Sequence, residues 1–319
     1  MMGAGWRMAL LSVNTEENPD GHAPAGDRTL IAALDTLAPG GSVTVMIHGY
    51  RFCPHHPRTD PHRHILSLNP RTDCWKAVSW PRHLHLDRPG AGLGIGFGWP
   101  ATGPLPRVAR RAHRAGQQLA RMIDAIQAAR PDAQVNLVAH SLGARVALTA
   151  LETAPRDVVR RMILISGAEY RASAERALRS PAAMRLRVLN VTSGENAAFD
   201  LMFRLAVAPS DPFDRPLSAG LDHLPNGIDL AIDDEATRTV LRGMGHRLRA
   251  PATRICHWSG YMRPGLFSVY RRMLDPDDAG FARDLSAALG ARVTGERGRA
   301  FPRAKAGLTI AAWPGRSQV

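Results

Sequence analysis

Apolar positions along the chain follow two different periods. Short runs such as Ser42-Val43-Thr44-Val45-Met46-Ile47 and Arg187-Val188-Leu189-Asn190-Val191-Thr192 have the length and β-branched content of buried strands. Longer stretches with helical spacing lie between them, above all 106–129, which Pro131 closes before the next apolar run begins. The pattern predicts strands near 7–13, 43–48, 92–98, 134–139, 161–166, 186–192 and 252–256. It predicts helices near 27–37, 106–129, 142–153, 173–179, 196–207 and 266–274. Strands that alternate with helices build a parallel sheet, so the fold class is α/β. No second core is visible, and residues 1–290 read as one domain. The stretch 51–90 reads as an inserted cap or entrance loop, and 291–319, rich in Gly, Arg, Ala and Pro, as a poorly ordered tail.

Composition narrows the function classes. The 319 residues are 45% hydrophobic, enough to bury a sizeable core. The formal charge of +13 is nearly all arginine, since only Lys76 and Lys305 are lysines, and it is spread along the chain. Arg107, Arg110, Arg111 and Arg114 fall on one predicted helix, where they form a solvated face. No aromatic residues interleave with them, so no nucleic-acid partner is expected. Met8-Ala9-Leu10-Leu11-Ser12-Val13 has strand length rather than signal-peptide length, and no segment approaches the roughly 18 apolar residues of a membrane span. The odd count of three cysteines, Cys53, Cys74 and Cys256, without framework spacing suits a reducing compartment. The expected localisation is cytoplasmic, with no stable membrane insertion.

Chemistry concentrates in Val135-Asn136-Leu137-Val138-Ala139-His140-Ser141-Leu142-Gly143-Ala144-Arg145, which reads as a strand, a sharp turn at Ser141 and a helix. This is a nucleophile elbow, in which a strained turn lifts the serine hydroxyl above the sheet edge. Ala139 stands where the pattern usually has its first glycine, a difference of one methyl group that the turn should survive. About ninety residues upstream, the run 42–47 leads into His48-Gly49-Tyr50. Acyl transfer from a serine builds charge on a carbonyl oxygen, which fixed amides stabilise. The backbone N–H groups of Tyr50 and Leu142 are the expected oxyanion donors. The bland alternative for His48-Gly49 is a strand-ending turn with a satisfied core histidine.

These motifs resemble the α/β-hydrolase superfamily, and within it bacterial serine-hydrolase-like proteins with an IHGY strand and an AHSLGAR elbow, over most of residues 7–275. The resemblance implies a mostly parallel central sheet with helices on both faces. It also implies a catalytic triad in the chain order nucleophile, acid, histidine. Ser141 is then the nucleophile. For the histidine the candidates are His257, after the apolar run 252–256, and His246 in the loop Gly243-Met244-Gly245-His246. For the acid they are Glu195, in the turn Ser193-Gly194-Glu195-Asn196 after a strand, and Asp200 on the following helix. The fold hosts many chemistries, so substrate class is open.

Other signals remain. Cys53, His55, His56, His62, His64, Cys74, His83 and His85 crowd the 51–90 segment, but their spacings match no standard zinc motif, and no metal is expected. Gly92-Leu93-Gly94-Ile95-Gly96-Phe97-Gly98 alternates at period two, which suits a strand under close approach, and no nucleotide-binding fingerprint follows it. No cofactor is expected. Trp258, Tyr261, Phe267 and Tyr270 suit either core or a wall of the acyl pocket. The functional expectation is a serine esterase acting on a small ester or acyl substrate. An acyltransferase with the same residues and a non-catalytic binding or scaffold protein are the alternatives, with a metal-regulated protein using 53–85 a third.

Overall fold

The computed structural model describes residues 10–15, 28–155, 157–278 and 280–297. Among the described residues seven strands form one all-parallel sheet: β1 (Leu10–Asn14), β2 (Ser42–Ile47), β3 (Leu93–Gly98), β4 (Gln134–His140), β5 (Val159–Ile165), β6 (Arg187–Thr192) and β7 (Gly227–Ala231), in the order β1-β3-β2-β4-β5-β6-β7. Ten helices accompany them among the described residues: α1 (Arg28–Asp35), α2 (Trp80–His83), α3 (Leu105–Ala129), α4 (Gly143–Thr153), α5 (Arg171–Leu178), α6 (Ala197–Ala206), α7 (Glu235–Gly243), α8 (Ser259–Met262), α9 (Leu266–Leu274) and α10 (Phe281–Arg297).

Alternation along each strand divides the core in two. Val43, Val45 and Ile47 of β2 and Leu137 and Ala139 of β4 join the layer under α1, α3, α4 and α5. Met46, Val138, Ile163, Leu189 and Ile228 face the opposite layer, built from α7, α9, α10 and the 61–86 segment. Successive side chains point to opposite faces, so covering both makes the strands almost wholly apolar. Gly116 lets α3 approach α4, because a Cβ there would lie 2.5 Å from Thr149 Cβ. On α3 the solvent takes Arg107, Arg110 and Arg114, the charged face expected from the sequence.

Three expectations change. The run 252–256 is not a strand: Ile255 is 64% exposed, and the sheet ends instead at β7, which pairs with β6. The β7 sequence, Gly-Ile-Asp-Leu-Ala, hides its apolar period behind Asp229. That carboxylate accepts from Asn190 Nδ2 and from the Leu221 and Asp222 amides, a satisfied polar group rather than an exposed one.

Secondly, 51–90 is more than a surface cap. Ile65, Leu66, Trp80, Leu84 and Leu86 are buried against the sheet, and fully burying side chains of this size contributes about 1.5–3 kcal/mol each. The alternating glycines of β3 make room. A Cβ at Gly96 would lie 3.2 Å from Leu66 Cβ, and one at Gly98 would lie 2.2 Å from Asn14 Oδ1 and 2.8 Å from His62 Nε2. Thirdly, α10 carries regular structure through Arg297, past the expected start of the tail at 291, and residues 298–319 lie outside the described residues. No helix among the described residues is long and apolar enough to cross a membrane.

Candidate active site

The central strand β4 delivers Ser141 at its carboxyl end. Ser141 has φ 55°, a left-handed conformation that costs a non-glycine residue energy and persists only where the surroundings impose it. They do so from both sides. Ser141 N–H donates to Ile165 O at 3.0 Å, and its carbonyl accepts from Ala168 N at 2.9 Å and Ala144 N at 3.0 Å. Two glycines clear the space around it: a Cβ at Gly143 would sit 2.7 Å from His48 O, and one at Gly49 would sit 2.6 Å from Ser141 Cβ. Ala139, in place of the usual glycine, is fully buried in the core below the turn.

His48 ties the ends of β2 and β3 together. Its Nε2 accepts from Trp99 N at 3.0 Å, and its carbonyl accepts from Trp99 Nε1 at 3.0 Å. Burial drives its pKa down to about 3, so it is a neutral core histidine. The loop it anchors carries Tyr50 alongside the elbow. Both Tyr50 and Leu142 line the cavity above Ser141, and among the described residues neither backbone N–H has a protein acceptor. Unpaired amides facing a cavity are available to a ligand oxygen.

His257 lines the same cavity as Ser141. Its ring stacks on Phe199, with centroids 4.7 Å apart and planes 22° apart. Its Nδ1 lies 2.6 Å from Asn196 Oδ1, and Asn196 Nδ2 donates to Asp200 Oδ1 at 2.9 Å. The second bond orients the first. With the amide nitrogen committed to a carboxylate, its oxygen faces the ring, so His257 carries its proton on Nδ1 and leaves Nε2 free as an acceptor. Burial, then the neighbouring His140 and Lys76, hold His257 well below its ordinary pKa. Burial raises Asp200 to about 6, against the hydrogen bonds from Ser218 and Asn196.

Glu195, the first-choice acid from the sequence, does not meet His257. Its carboxylate is in a buried ion pair with Arg263 and also accepts from Ser193 Oγ at 3.0 Å and Thr253 Oγ1 at 3.2 Å. Its carbonyl accepts from Cys256 N at 2.9 Å. Glu195 thus clamps the 253–263 loop on which His257 rides, while the adjacent side chain, Asn196, reaches the ring. Asp200, the second choice, stands one residue further back, behind that amide.

His246 is elsewhere, with Nδ1 2.8 Å from Ser268 Oγ and its ring against Phe281. Both histidines follow β7, so chain order does not separate them. The shared cavity does. The segment from β3 through the serine turn to Asn196 also has a known counterpart: the family model for the alpha/beta hydrolase fold matches residues 90–200. This is an α/β-hydrolase-fold protein. No curated protein matches the chain.

The cavity encloses about 750 Å³. Its wall joins the 50–76 segment to α6, with Leu105, Phe199, Met202 and Phe203 as apolar lining. Trp258 and Tyr261 line it too, whereas Phe267 and Tyr270 are core, so the aromatic cluster divides between both expected roles. Of the clustered histidines, His62 sits 2.7 Å from Asn14 Oδ1, His64 faces the cavity and His55 and His56 are exposed. Among the described residues no three His, Cys, Asp or Glu side chains converge as metal ligands, and the three cysteines are free thiols.

Sequence reasoning passed over Asn196, His140 and Arg263. His140 precedes the serine, and its Nε2 lies 3.1 Å from His257 O, bracing the histidine loop. Burial lowers its pKa to about 4, so the neutral ring donates to that carbonyl. The signal that would have found Asn196 is its place at the end of the turn after β6, directly beside Glu195.

Proposed function

We propose that this α/β hydrolase is a serine esterase that cleaves a small carboxylic ester through an acyl-enzyme on Ser141. His257 Nε2 takes the hydroxyl proton as Oγ attacks the ester carbonyl. The oxyanion is held by the amides of Tyr50 and Leu142. The imidazolium returns the proton to the departing alcohol, and water activated by the same ring releases the acid. Asn196 keeps the ring in the productive tautomer, and Asp200 keeps Asn196 in the productive orientation. With its pKa held down, the ring of His257 is neutral at pH 7 and free to accept, at the cost of a weaker base.

One observation carries the reading: the positive-φ Ser141 and a histidine with its Nδ1 proton committed to Asn196 face one cavity. Labelling with a fluorophosphonate probe tests it. Wild type should label, and Ser141→Ala and His257→Ala should not. Intact wild-type protein that never labels refutes it. The second reading, a binding protein without turnover, is favoured by the amide at Asn196, because a neutral partner does not compensate the imidazolium charge as a carboxylate does. The reaction needs no cofactor or metal, and we place it in the cytoplasm, where the free cysteines fit.

A further inference from the structure

The cavity lining is of two chemical kinds. Along α6 its lining is hydrocarbon: Phe199, Met202 and Phe203. The 50–76 segment adds Arg51, Arg58 and Lys76, the last beside Trp258, whose ring meets Phe199 edge-on with centroids 6.0 Å apart. Among the described residues none of these three cations is in an ion pair, whereas Arg71, on the same wall, is neutralised by Asp73. Lys76 holds its ammonium 3.3 Å from the Trp258 ring centre, which fixes its position without cancelling its charge. The opposing carboxylates are two. Asp60 accepts from His62 N at 2.9 Å, and Asp200 belongs to the α6 wall, bonded to Asn196 and Ser218.

Arg51 carries the argument further. It has φ 76°, in the left-handed region, directly after Tyr50. A glycine would adopt that conformation without strain, so an arginine is held there at a cost. Its side chain is exposed, and its guanidinium carbon lies 5.9 Å from the centre of the Tyr50 ring. A guanidinium with no ion-pair partner, lining the cavity one residue after an expected oxyanion amide, is placed to receive an anionic group.

We propose that the ligand of this cavity is an anionic amphiphile, with its hydrocarbon against α6 and a carboxylate, phosphate or sulfate group at Arg51, Arg58 and Lys76. Resting on the esterase reading, the substrate is then an ester carrying such a group on its acyl or its alcohol half. Calorimetric titration with monomeric octanesulfonate, octyltrimethylammonium and octyl glucoside tests the binding claim without requiring turnover. The sulfonate should bind at least tenfold more tightly than either comparator and weaken as salt is added. Arg51→Gln with Arg58→Gln should bring that ratio close to one. Arg63→Gln, the same charge change on an exposed residue that does not line the cavity, should leave it intact. Equal wild-type affinities, no measurable sulfonate binding, or a ratio that survives the double substitution would overturn the proposal.

Paired esters then separate the two readings. 4-Nitrophenyl hexanoate is compared with its ω-carboxylate analogue, and phenyl hexanoate with its para-sulfonate, placing the charge on each half in turn. Turnover without charge preference on either half overturns the anionic substrate while the esterase stands. Selective sulfonate binding with no turnover retires the esterase and leaves the anionic site standing.

Discussion

Replacing Asn196 by alanine removes the acceptor 2.6 Å from His257 Nδ1 while leaving Glu195, Arg263 and the loop they clamp in place. A neutral hydrogen bond of this kind contributes about 0.5–1.5 kcal/mol net, or a two- to tenfold change in rate at 1.36 kcal/mol per decade. Losing the acceptor also releases the choice of tautomer. A ring that spends half its time with the proton on Nε2 cannot accept from Ser141 in that half, a further factor of about two. The expected fall in kcat/KM is therefore about 5- to 20-fold, small beside the roughly 10⁴-fold effect of disturbing the carboxylate of a conventional triad. The assay is steady-state hydrolysis of a chromogenic ester at pH 8, with active sites counted by fluorophosphonate titration so that misfolded protein does not mimic slow chemistry. A change below twofold in kcat/KM refutes the assignment of Asn196 as the ring's partner. A loss near 10⁴-fold refutes the argument that a neutral amide contributes only a neutral bond.

Other outcomes follow from the same geometry. Because burial, His140 and Lys76 all hold His257 below its ordinary pKa, the acid limb of kcat/KM should lie well below pH 6.5. In Lys76→Met it should move up towards 6.5, since losing a neighbouring cation makes protonation easier; a pH–rate profile checks both positions. Glu195→Ala leaves Arg263 buried without a counter-charge, so it should cost about 3–5 kcal/mol of stability, read as a clear drop in Tm, and loosen the His257 loop. Asp200 has its carboxyl raised from 3.8 to about 6, so its ionisation opposes folding. Asp200→Asn, which keeps an acceptor for Asn196, should gain stability over wild type as pH rises from about 4 to about 6 and hold that gain above. Denaturant melts at pH 4, 6 and 8 measure it, and a gain that shrinks with rising pH contradicts the assigned shift.

Local patterns in the chain carried the parallel α/β fold, six of the seven strands and the serine turn, because these depend on interactions within a few residues. Short, almost continuously buried apolar runs mark β2 to β6, and the strained Ser141 conformation is announced by the small residues around it. The close passage of the 48–50 loop was legible for the same reason, since Gly49 is the residue that permits it beside Ser141 Cβ. What the sequence could not decide depends on contacts between distant segments. β7 was hidden because Asp229 interrupts its short apolar run and is satisfied only by groups from 190 and 221–222. The 51–90 segment looked like a surface insertion because its seat, the glycine face of β3, belongs to another part of the chain. Glu195 and Asn196 are neighbours, and which of them meets His257 is decided by Arg263, 68 residues further on, which draws the carboxylate away and leaves the amide for the ring. A one-residue choice of that kind rests on where a buried charge finds its counter-ion, and only the assembled tertiary structure brings the counter-ion into place.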